Sequence, residues 1–296
     1  MRGMADSSDA RPDETAPWSA LDRDAAIVHT PCGAGQMVWR VWGSGEPLVL
    51  LHGGAGSWLH WLRTIAAFRG ERMVVAPDLP GLGASADPPA GQADGGASIV
   101  AAGLDAVVGT GVQADLVGFS FGGFIGGMVA SARPVRSLAL VGSGGLGVIR
   151  RTARLERVRD KQGAEREAAH RTNLHRWMIA DPSRIDDTSM AIQDWNSRHA
   201  RIDSRPFGGG DALLQTLPRT TCRLAGIWGA HDHAVQGDTG RVRAVLQSIR
   251  PGAPFHVVAD AGHWVAYEAP DAFATALRRV LNADSVAMES SLHENA

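Results

Sequence analysis

The chain has 296 residues, 44% hydrophobic and 20% charged, a balance that places it among globular proteins with one large core and room for an insertion. Its 29 basic and 31 acidic residues leave a formal charge of -2, so no overall field draws it to nucleic acid or an anionic membrane, and the expected partner is a small molecule. Only Cys32 and Cys222 are present, without CxxC or zinc spacing, which excludes a disulfide framework.

Residues 1–20 mix charge, Ser and Pro without an apolar h-region, which argues against a signal peptide and reads as a disordered leader on a cytoplasmic protein. No stretch approaches the roughly 20 apolar residues of a membrane helix. VWRVW and PLVLL flank the turn signal GSGEP, so 37–42 and 47–51 read as consecutive strands. SWLHWLRTIAAF places apolar residues at 58, 61, 62, 65 and 68, the spacing of an amphipathic helix capped by Ser57. MVVAP, ADLVGFS and VRSLALVGS read as buried strands, with helices over SIVAAGLDAVVG and FGGFIGGMVASA. This rhythm of short apolar strands and crossover helices implies a parallel sheet covered on both faces.

The rhythm breaks after residue 146. RTARLERVRDKQGAEREAAHRTNLHRWMIA and SMAIQDWNSRHARI read as helices, so 147–210 is an insertion ended by the flexible FGGGD. Strands return with CRLAGIWG and PFHVVAD, helices with GRVRAVLQSI and DAFATALRRVL, and 284–296 reads as a disordered tail. The core is thus expected in two pieces, 21–146 and 211–283.

In open parallel sheets ligands bind at the carboxyl ends of strands, and four such ends carry usable chemistry: HGGAG after Leu51, GFSFGG after Val117, GAHDH after Trp228 and ADAGHW after Val258. A serine such as Ser120 is a poor nucleophile unless a base takes its proton and an acid holds that base, and the developing oxyanion needs preorganised donors. HDH at 231–233 has the look of a metal pair, but zinc needs three or four convergent ligands and no second cluster has suitable spacing, so neither metal nor organic cofactor is expected. His52 is expected to brace the loop that follows it. Asp78, Gly81 and Gly83 are expected to fix a turn, and YEAP, residues 267–270, to start the last helix.

Over residues 36–281 these motifs resemble the α/β-hydrolase family, whose nucleophile elbow has the form GxSxG and whose catalytic groups follow in the order Ser, Asp, His. The resemblance implies an α/β-hydrolase fold: a mostly parallel eight-stranded sheet, helices on both faces and a helical cap at 147–210. It implies Ser120 as nucleophile, His263 as base, Asp232 as orienting acid, and the backbone N–H groups of Gly54 and Phe121 as the oxyanion hole.

Within the family, AGHWVAYEAPDAF and DPSRIDD look similar to hydrolases that cleave carbon-carbon bonds in ring-fission dienoates. That likeness marks Phe119, Trp264, Trp177, Gln193 and Arg198 as substrate-binding positions. Two features depart from it: Phe119 stands where many members have Asn, and Gln193 stands where many have an Arg, unless Arg198 takes that place. Arg171, Arg176, Arg184, Arg198, Arg201 and Arg205 make the cap basic, and one of them is a candidate receiver for a substrate carboxylate. The reading stays open between a carbon-carbon hydrolase and a carboxylesterase, beside a lyase, a haloperoxidase or a ligand receptor on the same fold, and a homo-oligomer is equally open.

Overall fold

The computed structural model describes residues 14–149 and 153–282. In chain order it contains α1 Ser19–Arg23, β1 Ala26–Cys32, β2 Gly35–Trp42, β3 Pro47–Leu51, α2 Leu62–Phe68, β4 Met73–Pro77, α3 Ala97–Val108, β5 Asp115–Phe119, α4 Phe121–Ala132 and β6 Ser137–Val141. Between β6 and β7 lie α5 Gly163–Asn173, α6 Asp187–Arg198, α7 Arg205–Gly208 and α8 Ala212–Thr216. The chain continues with β7 Arg223–Gly229, α9 Thr239–Ile249, β8 Phe255–Val258, α10 Val265–Glu268 and α11 Pro270–Leu281.

The eight strands form one sheet in the order β1-β2-β4-β3-β5-β6-β7-β8, antiparallel where β2 meets β1 and β4 and parallel from β4 to β8. Strand periodicity divides the core into two layers. Leu48 and Leu50 of β3, Val117 and Phe119 of β5, Ala139 and Val141 of β6 face one layer together with α2 and α11. Their neighbours Val49, Leu51, Leu116, Leu138 and Leu140 face the other, with α3, α4 and α9. The inserted segment joins the first layer through Leu174, Ile179 and Ile185 between α5 and α6 and through Ile192 of α6, all buried.

The strands expected at 37–42 and 47–51 form, as β2 and β3, and do not pair with each other: β2 lies between β1 and β4, and β3 between β4 and β5. Several expectations are corrected here. The expected leader over 1–20 is too long at its end, because Trp18 is buried against the first layer, Trp42 Nε1 donates to Leu21 O at 2.8 Å and α1 begins at Ser19. Residues 1–13 and the tail 284–296 lie outside the described residues. The long helix expected from 151 begins only at Gly163; residues 153–162 are rich in charge, mostly Arg, but offer no apolar stripe to pack, and helix propensity alone does not hold a segment in a helix. Ser57 does act as a cap, accepting from Leu59 N at 3.3 Å, but it opens a 3₁₀ turn, Trp58–Trp61, that leads into α2.

Candidate active site

Ser120 sits between the end of β5 and the start of α4 at φ 51° and ψ -110°, a backbone region that a residue with a Cβ rarely adopts. The turn is possible because its neighbours lack side chains. A Cβ on Gly118 would lie 2.5 Å from Gly122 O, and one on Gly122 would run into the backbone of Leu51 in β3. Backbone bonds then pin the turn: Ser120 N donates to Val141 O at 2.9 Å, and Ser120 O accepts from Gly123 N at 3.1 Å and Gly144 N at 3.3 Å.

Two strand ends further along, Asp232 follows β7 and His263 follows β8. Both are buried, and His263 Nδ1 lies 2.9 and 3.0 Å from the two carboxylate oxygens of Asp232. Asp232 Oδ1 also accepts from Ala234 N at 2.8 Å, which fixes the carboxylate plane. A carboxylate can only accept from Nδ1, so the proton is on Nδ1 and Nε2 presents its lone pair. That atom is buried without a hydrogen-bond partner, and the Ser120 hydroxyl likewise has none among the described residues.

The ring of His263 is brought to the Ser120 turn by its neighbours. Phe119 lies 5.0 Å from it by ring centroids, and a Cβ on Gly142, one residue past the Val141 carbonyl that binds Ser120 N, would be 3.1 Å from its Nδ1 and Cε1. Trp177, half-buried in the inserted segment, reaches the opposite surroundings of the ring at 5.5 Å.

The loop after β3 approaches from the other side. Phe121 Cβ is 3.7 Å from the position a Cβ of Gly54 would take, so the two predicted oxyanion donors stand together. His52 holds this loop: Nε2 accepts from Leu79 N at 2.9 Å, so Nδ1 donates to Gly53 O at 2.8 Å. His60, absent from the sequence reading, accepts from Gly53 N at 3.2 Å and packs edge-on against Phe119 and Trp264. Burial, then the neighbouring His52 and His263, push the His60 pKa well below the ordinary histidine value. Asp78 fixes its turn as expected, accepting from Trp58 N and Ala84 N and pairing with Arg40 at 3.1 Å.

Glu268 was also missed as more than a helix start. Its buried carboxylate accepts from Gly262 N at 2.7 Å, Asp181 N at 2.8 Å and Ala180 N at 3.0 Å, and Trp264 N donates to Met178 O at 2.7 Å. The histidine loop is thereby bolted to the inserted segment. The signal in the sequence was an acidic residue five positions after His263, which has no meaning until the insertion is folded against it.

Of the five substrate positions, Phe119 and Trp177 flank His263. Trp264 is corrected to a core residue: it is buried, stacks on Tyr267 at 4.2 Å and donates its Nε1 to His60 O at 2.8 Å. Arg198 is corrected to a surface residue, its side chain 60% exposed and paired with Asp194 one helical turn away. Gln193 is half-buried in the middle of α6, with no side-chain hydrogen bond among the described residues.

The cap arginines singled out as candidate receivers each have a partner within the protein. Arg171 binds Ile185 O, Arg176 binds Glu156, Arg184 binds the Asp260 and Glu268 carbonyls, Arg201 binds Asp87, and Arg205 binds Asp203. A cavity of ≈ 1040 Å³ lined by residues of 153–161, His175, Arg176 and His233, and one of ≈ 420 Å³ lined by Ala153, Asp232 and its neighbours, open on the Asp232 side; Ser120 and His263 line neither. Among the described residues no three His, Cys, Asp or Glu side chains converge as a metal would need, and no helix is long and apolar enough to cross a membrane.

A profile described as the alpha/beta hydrolase family matches residues 48–276, and the chain belongs to that family. It thus has the α/β-hydrolase fold. A Pseudomonas putida dihydrolipoyllysine-residue acetyltransferase component of an acetoin cleaving system is 32% identical over 242 residues, 77% of this chain but only 61% of that protein. A Burkholderia cepacia 2-hydroxy-6-oxo-6-phenylhexa-2,4-dienoate hydrolase is 31% identical over 257 residues, 78% of this chain and 86% of that one. Among solved structures, an esterase from Rhodococcus sp. superposes with a TM-score of 0.70 at 22% identity, covering 85% of this chain and 97% of the other.

Proposed function

We propose that the protein is a serine hydrolase of small apolar carboxylic esters, acting through Ser120, His263 and Asp232 beneath a cap formed by residues 147–210. The observation that carries this reading is the buried Asp232–His263 pair, whose Nε2 has no partner among the described residues and whose ring packs on Phe119, next to the strained Ser120 turn. Ser120 Oγ adds to the ester carbonyl carbon while its proton passes to His263 Nε2, and Asp232 stabilises the imidazolium. The carbonyl π pair moves onto oxygen, where Gly54 N–H and Phe121 N–H receive it. Collapse expels the alcohol, which takes the proton from His263, and water activated by the same histidine frees the acid.

Esters are favoured over dienoates by two observations. Phe119, 3% exposed against His263, puts an apolar ring where a polar group would serve a dienoate, and the six cap arginines singled out as candidate receivers are already engaged with carboxylates or carbonyls. The B. cepacia relative supports carbon-carbon hydrolysis as the second reading.

The test is kcat/KM for a short-chain p-nitrophenyl ester against a ring-fission dienoate, with Ser120→Ala as background. The expected outcome is an ester preference of a hundredfold or more, about 2.7 kcal/mol of differential transition-state binding. A dienoate preference of that size would replace the esterase by a carbon-carbon hydrolase.

A further inference from the structure

Within the insertion, Ser204 stands at the N-cap of α7, its carbonyl accepting from Phe207 N at 3.2 Å. Ser204 is half-buried and its hydroxyl makes no hydrogen bond among the described residues. It sits directly over the Cα of Gly54, so close that a Cβ on Gly54 would collide with its Oγ and lie 3.1 Å from its Cβ. Since Phe121 Cβ is 3.7 Å from that same point, the Ser204 hydroxyl adjoins both residues expected to supply the backbone donors.

The stretch bearing Ser204 is tied to the core on both sides. Before it, Arg201 N donates to Gly81 O at 3.0 Å, and the Ile202 side chain fills the space over Gly81. After it, Gly145 N donates to Gly208 O at 2.9 Å and Gly147 N to Gly210 O at 3.1 Å. Phe207 packs on Phe121 at 5.5 Å and on Phe124 at 5.4 Å, so the strap and the nucleophile helix share one aromatic cluster. A donor held this way needs no reorganisation when charge develops, which is the condition under which a donor lowers a barrier.

From this we infer that Ser204 is a catalytic residue, a third oxyanion donor supplied by the insertion, whose O–H rotates onto the tetrahedral oxygen beside Gly54 N–H and Phe121 N–H. The inference rests on the serine-hydrolase reading above. A side-chain donor contributed by the strap also makes the strap part of the reaction site rather than only a cover over it.

The experiment compares wild type, Ser120→Ala and Ser204→Ala on a p-nitrophenyl ester, and measures inhibition by a trifluoromethyl ketone, which forms an anionic hemiketal with the nucleophile. Ser204→Ala removes a hydroxyl that makes no hydrogen bond among the described residues, and its melting temperature, read alongside, is expected to stay at the wild-type value. The expected result is a fall in kcat of about tenfold or more with KM within about twofold, and a matching loss of ketone affinity. If Ser120→Ala is inactive and Ser204→Ala keeps wild-type kcat and ketone affinity, the Ser204 role is overturned while the esterase stands. A change in KM alone also overturns it, making Ser204 a wall of the substrate site. If Ser120→Ala retains activity, the nucleophile assignment falls and the third donor with it.

Discussion

Ser120 is held at φ 51° and ψ -110° by bonds to Val141, Gly123 and Gly144, a conformation that costs of order 1–3 kcal/mol for a residue with a Cβ. Glycine occupies that region without penalty. Ser120→Gly is therefore expected to raise the melting temperature, by about 1 kcal/mol of stability, while abolishing turnover; an unchanged or lowered melting temperature would show that the turn is not strained. His60 makes a second residue-scale prediction. Its folded pKa lies well below its unfolded one because burial disfavours the charged ring, so the unfolded chain binds the extra proton as pH falls below about 6.5. Stability is then lost on acidification, at up to about 1.4 kcal/mol per pH unit from this one group. His60→Gln is expected to flatten the fall in unfolding free energy between pH 6.5 and 5, read by urea titration; equal slopes would contradict the assignment.

Single residues were legible where strand order alone fixes their place. Ser120, Asp232 and His263 each follow a strand in the parallel half of the sheet, and their motifs lie in the order the fold requires. Trp264 was misread because the sequence cannot say that the chain turns at once into α10, which points its indole at His60 O. Arg198 was misread because its partner, Asp194, is a local one that a solvated helix face supplies. Ser204 carried no sequence signal at all: nothing ties it to Gly54 until the strap is folded.

At the scale of elements, the strongest inference concerns α10. Glu268 gathers three backbone N–H groups from two segments, and truncating it leaves those donors buried without an acceptor. Glu268→Ala is expected to cost about 3 kcal/mol or more and to lower kcat, since the loop carrying His263 loses its tie to residues 180 and 181. Unaltered stability in chemical denaturation would show that water replaces the carboxylate at no loss. The elements themselves were readable where apolar runs are continuous, as in β3, β5, β6 and β7. β1 escaped because most of its residues are exposed and it contains Pro31, so it lacks a hydrophobic period. Residues 153–162 were overread as helix because composition was weighed without a face to bury.

For the whole molecule, two core layers sandwich the sheet and the insertion engages both. Leu174, Ile179, Ile185 and Ile192 extend the first layer, while Ile202 and Phe207 lean on the second. The insertion also sends Trp177 to His263, Ala180 and Asp181 to Glu268, and Asn196 to the Ser57 hydroxyl at 2.6 Å. The strand ends that carry Ser120, Asp232 and His263 and the insertion are thus joined by side-chain contacts at several points. The central claim of the account is that Ser120 is the group that becomes covalently modified. The most direct measurement is intact-protein and peptide mass spectrometry after treatment with a p-nitrophenyl phosphonate. The account predicts one adduct per chain, on the peptide containing Ser120, formed with release of p-nitrophenol and absent from Ser120→Ala and His263→Ala. An adduct of the same yield on another residue, or one that persists in Ser120→Ala, would contradict it.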